Sequence, residues 1–233
     1  MKNEGLIYRI SGPVVTAINM KAAMYDVVRV GTEGLMGEVI ELHGEKAVIQ
    51  VYEDTSGIRP GEVVVNTGET LSVSLGPGLL TQIYDGIQRP LPTLEKEMGV
   101  FLTRGVDADA FDLEKIWTFE PQVAVGDTVI GGQVVGHVQE TDTIVHKIMV
   151  VPGNGGVVKS IESGDFNVTQ TICTFEDGSE MQMMQEWPVR TPRPYNQKYP
   201  PVIPLVTGMR ILDFLFPLAK GGAAGIPGPF GSG

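Results

Sequence analysis

The residues with the clearest chemical pattern stand at the end of the chain. In GGAAGIPGPFGSG, Gly228, Pro229, Phe230, Gly231, Ser232 and Gly233 have the spacing that opens a phosphate-binding loop of the form G-x-x-x-x-G-K-S/T. Glycines at such positions let successive backbone N–H groups turn inward around phosphate oxygens, and a helix beginning just after them favours an anion at its amino end. The lysine for the phosphates and the hydroxyl for Mg2+ belong after Gly233. The spacing alone is weak, because a chain with 30 glycines produces it by chance and GPFGSG reads equally as a flexible tail.

Other chemistry-bearing residues point to structural roles. Cys173 is the only cysteine, which excludes an internal disulfide or a cysteine zinc cluster, and it reads as a small buried strand residue. His43, His137 and His146 are far apart, each beside alternating apolar residues, and are expected to be structural. Asp107, Asp109 and Asp112 lack the remaining ligands and the glycine turn of a calcium loop. Asp85 and Arg89 are four residues apart on an expected helix, where a solvent-exposed ion pair suffices. Glu95 and Glu97 read as solvated, and Met181, Met183 and Met184 as packing an irregular strand edge. No catalytic or metal-binding residue is expected within these 233 residues.

These residues must be positioned by a mainly β chain. LIYRI, VVTAI, DVVRV, GEVIEL, KAVIQVY and EVVVNTG alternate apolar and polar residues and are separated by Gly and Pro, so residues 1–74 are expected to form a six-stranded barrel, closed because an open sheet would leave unpaired edges. Residues 75–112 read as a linker with a short helix, in which Ile83, Ile87 and Leu91 share a face until Pro90 and Pro92 end it. Residues 113–187 return to strands separated by Gly-Asp, Gly-Gly and Pro-Gly turns and form a second β domain. Its halves, VAVGDTVIGGQVVGHV and KSIESGDFNVTQTICTF, each follow a strand with Gly-Asp, as in barrel-sandwich folds that include lipoyl and biotinyl carriers. A carrier reading is disfavoured, since Lys147 in HKIMV lacks the Met-Lys-Met pattern of biotinyl domains. Residues 188–233 begin with a proline-rich crossing, continue into a helix started by Thr207 from about Gly208 and bent or broken near Pro217, and then run through Gly221-Gly222 and a short strand to the loop.

Composition narrows the partners. A formal charge of -11 argues against sequence-independent nucleic-acid binding, which needs basic residues to neutralise phosphates. No run approaches the ~20 apolar residues of a membrane span, and MKNEGLIYRISG has no signal-like apolar core, so a cytoplasmic chain without direct membrane insertion is expected.

GEVIELHGEKAVIQVYEDTSGIRPGE, SLGPGLLTQIYDGIQRPL, PLVTGMRILDFLFPLAKGG and IPGPFGSG resemble, in order, segments of the nucleotide-binding subunits of rotary ATPases. Residues 113–187 resemble the bulge domain carried by the catalytic A subunits of the archaeal and vacuolar types. The resemblance implies the amino-terminal part of one of these catalytic polypeptides: a barrel, an inserted barrel-sandwich-like domain, and the truncated start of an α/β P-loop nucleotide-binding domain. It implies ATP and Mg2+ as ligands of the parent enzyme, which couples ATP hydrolysis or synthesis to H+ or Na+ transport on the cytoplasmic face of a membrane complex. The implied partners are B subunits in an A3B3 hexamer and a central stalk, with residues 113–187 placed for a peripheral stalk. It assigns Gly228 to Gly233 to the phosphate loop, with the amides of Gly231 to Gly233 as donors acting by positioning and charge stabilisation. Without the lysine and metal, each worth roughly 1.5–3 kcal/mol per charged contact, this chain is expected to bind ATP poorly and to be inactive alone. The competing reading is a β-rich assembly module with no chemistry of its own.

Overall fold

The computed structural model describes residues 3–80, 82–99, 103–106, 108–195, 197–229 and 231, and divides them between two units, residues 1–192 and residues 193–233. In the first unit the alternating segments form β1 (Glu4–Ser11), β2 (Val14–Ile18), β3 (Asp26–Val30), β4 (Leu35–His43), β5 (Lys46–Val51) and β6 (Val63–Thr70). All pair antiparallel in the closed order β1-β2-β5-β4-β3-β6, so the expected six-stranded barrel is present and no barrel strand leaves an edge unpaired. Alternation decides which side chains fill it: Val15 and Ala17 of β2, Val28 and Val30 of β3, and Ala47, Ile49 and Val51 of β5 are all buried. A polar knot holds the β2–β3 connection, where the buried carboxylate of Asp26 accepts from the Ala23 N–H and the Asn66 amide, each at 2.7 Å.

After the barrel, β7 (Ser72–Leu75) pairs antiparallel with β16 (Gln185–Pro188), Leu75 opposite Gln185 and Ser72 opposite Pro188. This two-stranded stem brackets residues 76–184. The helix expected over Ile83–Leu91 does not form. Those residues make a reverse turn in which Leu91 N–H donates to the Ile83 carbonyl at 2.9 Å and Gln88 adopts φ 65°. The Asp85 carboxylate accepts from the Ile87 and Arg89 N–H groups, at 3.0 and 2.9 Å, taking amides that a helix would have used. The helix, α1 (Leu91–Met98), starts at the prolines instead of ending there, because a first-turn proline sacrifices no intrahelical bond. Glu95 on it is exposed, as expected; the side chain of Glu97 lies outside the described residues.

The inserted region contains two four-stranded sheets. One has the order β11 (Ile144–Met149), β10 (Val134–Thr141), β8 (Trp117–Pro121), β13 (Gly164–Phe166). The other runs β15 (Glu180–Gln182), β14 (Thr171–Phe175), β12 (Gly155–Ile161), β9 (Thr128–Ile130). The two halves seen in the sequence are interleaved: β9 of the first half pairs with β12, which leads into the second, and β13 of the second pairs with β8, which precedes the first. One core results, built around Phe119, Val135, Val158 and Phe175, with Cys173 buried as expected. Met181 and Met183 are buried in this core, Met181 on the edge strand β15, and Met184 packs against it. Gly136 is required by this packing, since a Cβ there would fall 2.6 Å from the Glu120 carbonyl oxygen and into the Phe119 ring.

In the second unit, β17 (Pro204–Leu205) pairs with β18 (Leu218–Ala219) around α2 (Arg210–Leu215). The helix begins later than expected, at Arg210 with Met209 as its N-cap and no side-chain capping bond, and Thr207 instead donates its N–H and hydroxyl to the Asp213 carboxylate at 2.9 and 2.7 Å. The helix ends before Pro217. The short strand expected between Gly221-Gly222 and the loop is absent: residues 222–228 form no ladder, since no strand among the described residues pairs with them.

Candidate functional site

The expected phosphate loop closes the second unit. Gly228, Pro229 and Gly231 are exposed, and Gly231 adopts φ 78°, the left-handed region where glycine meets no steric penalty. Phe230, Ser232 and Gly233 lie outside the described residues. The strand nearest upstream is β18, closed by a turn in which Gly222 N–H donates to the Ala219 carbonyl at 2.9 Å.

Elsewhere the structure gathers charged residues from segments that are far apart in sequence. Glu53, with its side chain 8% exposed, accepts Arg89 Nη1 at 2.9 Å and the Gly105 and Met36 N–H groups at 3.1 and 3.3 Å. Arg89 also donates Nε to Asp85 at 2.7 Å and Nη1 to the Val106 carbonyl at 2.8 Å. The Asp85–Arg89 pair is therefore largely buried and bridged to the barrel, in contrast to the exposed helical pair expected from its spacing. Burial opposes ionisation of Asp85, but the Arg89 N–H and guanidinium outweigh it and hold the carboxyl below its ordinary value. Arg104 adds a second anchor to the same barrel loop, with Nη2 donating to Glu33 Oε1 at 2.9 Å and Nη1 to the carbonyls of Asp54 and Ser56.

A second cluster ties the chain leaving the stem to the barrel. Arg190 donates Nε to Glu38 Oε1 at 2.9 Å and Nη2 to Oε2 at 2.5 Å, while its guanidinium lies 4.2 Å from the Tyr25 ring centre. The Tyr52 hydroxyl donates to Glu38 at 3.0 Å. The Arg190 hydrogen bonds hold Glu38 below its ordinary value, and burial beside Glu38 pushes the Tyr52 phenol up to about 12. In the third cluster Glu140, 3% exposed, accepts the Gly78 N–H at 2.7 Å, the Leu80 N–H at 3.2 Å and His146 Nδ1 at 2.8 Å. In all three clusters a carboxylate gathers hydrogen bonds from distant segments and fastens them together.

The remaining candidates have the following surroundings. His43 pairs with Glu41 at 2.9 Å on the surface, and His137 stands 3.4 Å from Glu120. Asp107 lies outside the described residues, Asp112 caps a turn by accepting the Glu114 N–H at 3.1 Å, and no group of three metal-binding side chains occurs among the described residues. Lys147 lies within β11 opposite His137, away from the tight turn that a carrier lysine needs. Burial pushes the Cys173 thiol up, which disfavours the reactive thiolate. A recess of about 910 Å3 between α1 and residues 108–115 is lined by Lys96, Asp109, Glu114 and Lys115, and among the described residues no buried polar side-chain atom lacks a partner there.

Comparison with known proteins accounts for the architecture. Residues 7–68 match the ATP synthase alpha/beta family beta-barrel domain, and residues 108–190 match the ATP synthase alpha/beta subunit barrel-sandwich domain. The chain is 63% identical over all its 233 residues to the A subunit of the A-type ATP synthase of Methanosarcina barkeri, covering 40% of that protein. It is 62% identical over 230 residues, 98% of the chain, to the protein of the same name from Methanocorpusculum labreanum, and 60% identical over 232 residues, 99% of the chain, to that of Natronomonas pharaonis, again spanning 40% of each relative. No helix among the described residues is long and apolar enough to cross a membrane. With one family matching both the barrel and the sandwich, and with identity of 60% or more sustained along the whole sequence, the chain belongs to the ATP synthase alpha/beta family.

Proposed function

We propose that the chain is part of the catalytic A subunit of an A-type ATP synthase, in which it supplies the barrel, the inserted sandwich and the entry to the nucleotide-binding region. The observation that carries this is the 63% identity, sustained over the full 233 residues, to a protein of that name. In this reading the parent enzyme couples ATP synthesis or hydrolysis to H+ or Na+ movement. The phosphate loop begins at Gly228, Pro229, Phe230, Gly231, Ser232 and Gly233, and Mg2+ and the lysine contact come from residues following Gly233. The domains are residues 1–74, 75–112, 113–187 and 188–233.

The partners follow from the same reading: B subunits in an A3B3 ring, a central stalk, and a peripheral stalk reached through residues 113–187, all on the cytoplasmic face of the membrane. The outer wall of the barrel supports an assembly role, because Leu6 and Val63 face each other across β1 and β6 and are 41% and 43% exposed, with Tyr8 at 54% beside them.

The experiment is calorimetric titration with Mg-ATP. This chain is expected to show no micromolar binding and no phosphate release, whereas a longer chain in which Lys and Ser or Thr follow Gly233 is expected to bind. Micromolar binding by the present chain would place the nucleotide site elsewhere and overturn the assignment.

A further inference from the structure

One asparagine of the inserted sandwich stands in a context that favours spontaneous covalent chemistry. Asn154 is followed by Gly155, the one Asn-Gly pair in the sequence. A glycine after asparagine leaves its amide nitrogen unshielded by a Cβ, so that nitrogen can approach the asparagine side-chain carbonyl. Asn154 is exposed at the turn that leads into β12, its N–H donates to the Val151 carbonyl at 3.0 Å, and its side chain makes no hydrogen bond among the described residues. The comparable pairs are restrained. Asp85, before Gly86, accepts the Ile87 and Arg89 N–H groups. Asp177, before Gly178, accepts the Ser179 N–H at 2.9 Å and its hydroxyl at 2.6 Å. Asn167, before Val168, accepts the N–H groups of Thr169 and Gln170 at 3.0 and 2.9 Å.

We propose that Asn154–Gly155 is a deamidation site whose isoaspartyl product unseats β9 from β12. The Gly155 nitrogen loses its proton and bonds to Cγ of Asn154. The side-chain nitrogen takes up a proton and leaves as ammonia, closing a succinimide. Water then opens the ring at either carbonyl, giving aspartate or isoaspartate, and each adds one negative charge. The two products differ mechanically. Isoaspartate routes the main chain through the side-chain methylene, lengthening it between residues 154 and 155.

That lengthening falls where there is no slack. Gly155 pairs with Ile130, and a Cβ on Gly155 would stand 2.5 Å from the Val129 carbonyl oxygen. A Cβ on Gly131 would stand 2.8 Å from the Gly153 nitrogen and 3.2 Å from the Asn154 carbonyl oxygen. The Gly131 and Asn154 turns thus touch backbone to backbone, and added main chain in one must displace the other. Because β9 is an edge strand held in its sheet by β12 alone, this displacement removes its pairing.

The test is to incubate the folded chain in warm, mildly alkaline buffer and follow tryptic peptides by mass and retention. The peptide Ile148–Lys159 is expected to lose its amide and split into aspartyl and isoaspartyl forms while peptides carrying Asn3, Asn66 and Asn167 stay intact. The thermal transition should fall with the isoaspartyl fraction. Asn154→Gln is expected to prevent the fall, and Asn154→Asp, which has the charge without the longer main chain, is expected to keep the unaged transition. Retention of the amide in Ile148–Lys159, or conversion no faster than at Asn167, would overturn the chemistry. An equal fall in the Asn154→Gln chain would overturn the structural consequence.

Discussion

Glu38 is 1% exposed and faces Arg190, 152 residues further along the chain, whose two hydrogen bonds stabilise its ionised form. Because its carboxyl is held below the ordinary value of 4.5, the network contributes stability that is fully present above that pH and is lost as pH falls through the depressed folded value. Asp85 and Glu140 have the same sign, so acid destabilisation should set in below the ordinary carboxylate range. Tyr52 acts at the other limit: its phenol is raised from 10.0 to about 12, so its contribution is present below 10 and lost as pH rises between those values. Glu38→Gln is therefore expected to flatten the acid side of a melting-temperature profile, measured by calorimetry at successive pH values. An unchanged acid slope in that variant would assign the effect to the other carboxylates.

The reverse turn over residues 83–91 depends on β7 and the barrel as much as on its own sequence. Gln88 holds β7 through both ends of its amide, accepting the Ser74 N–H at 2.8 Å and donating to the Ser74 carbonyl at 2.7 Å. Arg89 then reaches Glu53, two residues beyond β5. Arg89→Ala leaves two largely buried carboxylates, Glu53 and Asp85, without their cation. Removing one partner of a buried pair costs more than the pair is worth, and a loss on the order of 3 kcal/mol is expected in urea unfolding. A loss below about 0.5 kcal/mol would show that water replaces the guanidinium and that the segment is tied only loosely.

For the whole molecule, the stem of β7 and β16 brings both ends of the insertion to one place, and few strands need to cross it. The sandwich core nevertheless extends beyond residues 113–187, since Phe111 is 7% exposed within it and Leu79 packs against it. An excised segment 108–190 is expected to unfold cooperatively on heating with dispersed amide resonances, and a segment 113–187 to melt lower because it lacks Phe111. Disorder in both segments would mean that the sandwich depends on the barrel and that the proposed domain division fails.

Sequence alone determined the repeating parts. Period-two alternation placed the barrel strands within a few residues of their observed bounds, because a residue's side of a sheet is set by its neighbours along the chain. The paired Gly-Asp signals likewise exposed the two halves of the sandwich. Tertiary structure decided what joins distant residues. Asp85 and Arg89 fit an exposed helical pair as well as a buried turn, and only the nearby Glu53 and the amides captured by Asp85 select the turn. The partnership of Glu38 with Arg190 has no local signal, since it exists only after the barrel closes and the stem returns the chain to it. The interleaving of the halves through β9 and β13 follows from packing one shared core and leaves no mark in either segment. At the other extreme, the glycines of residues 228–231 signal permissive backbone, but permission is not geometry: a phosphate loop takes its shape from a paired strand behind it, and residues 222–228 have no such partner among the described residues.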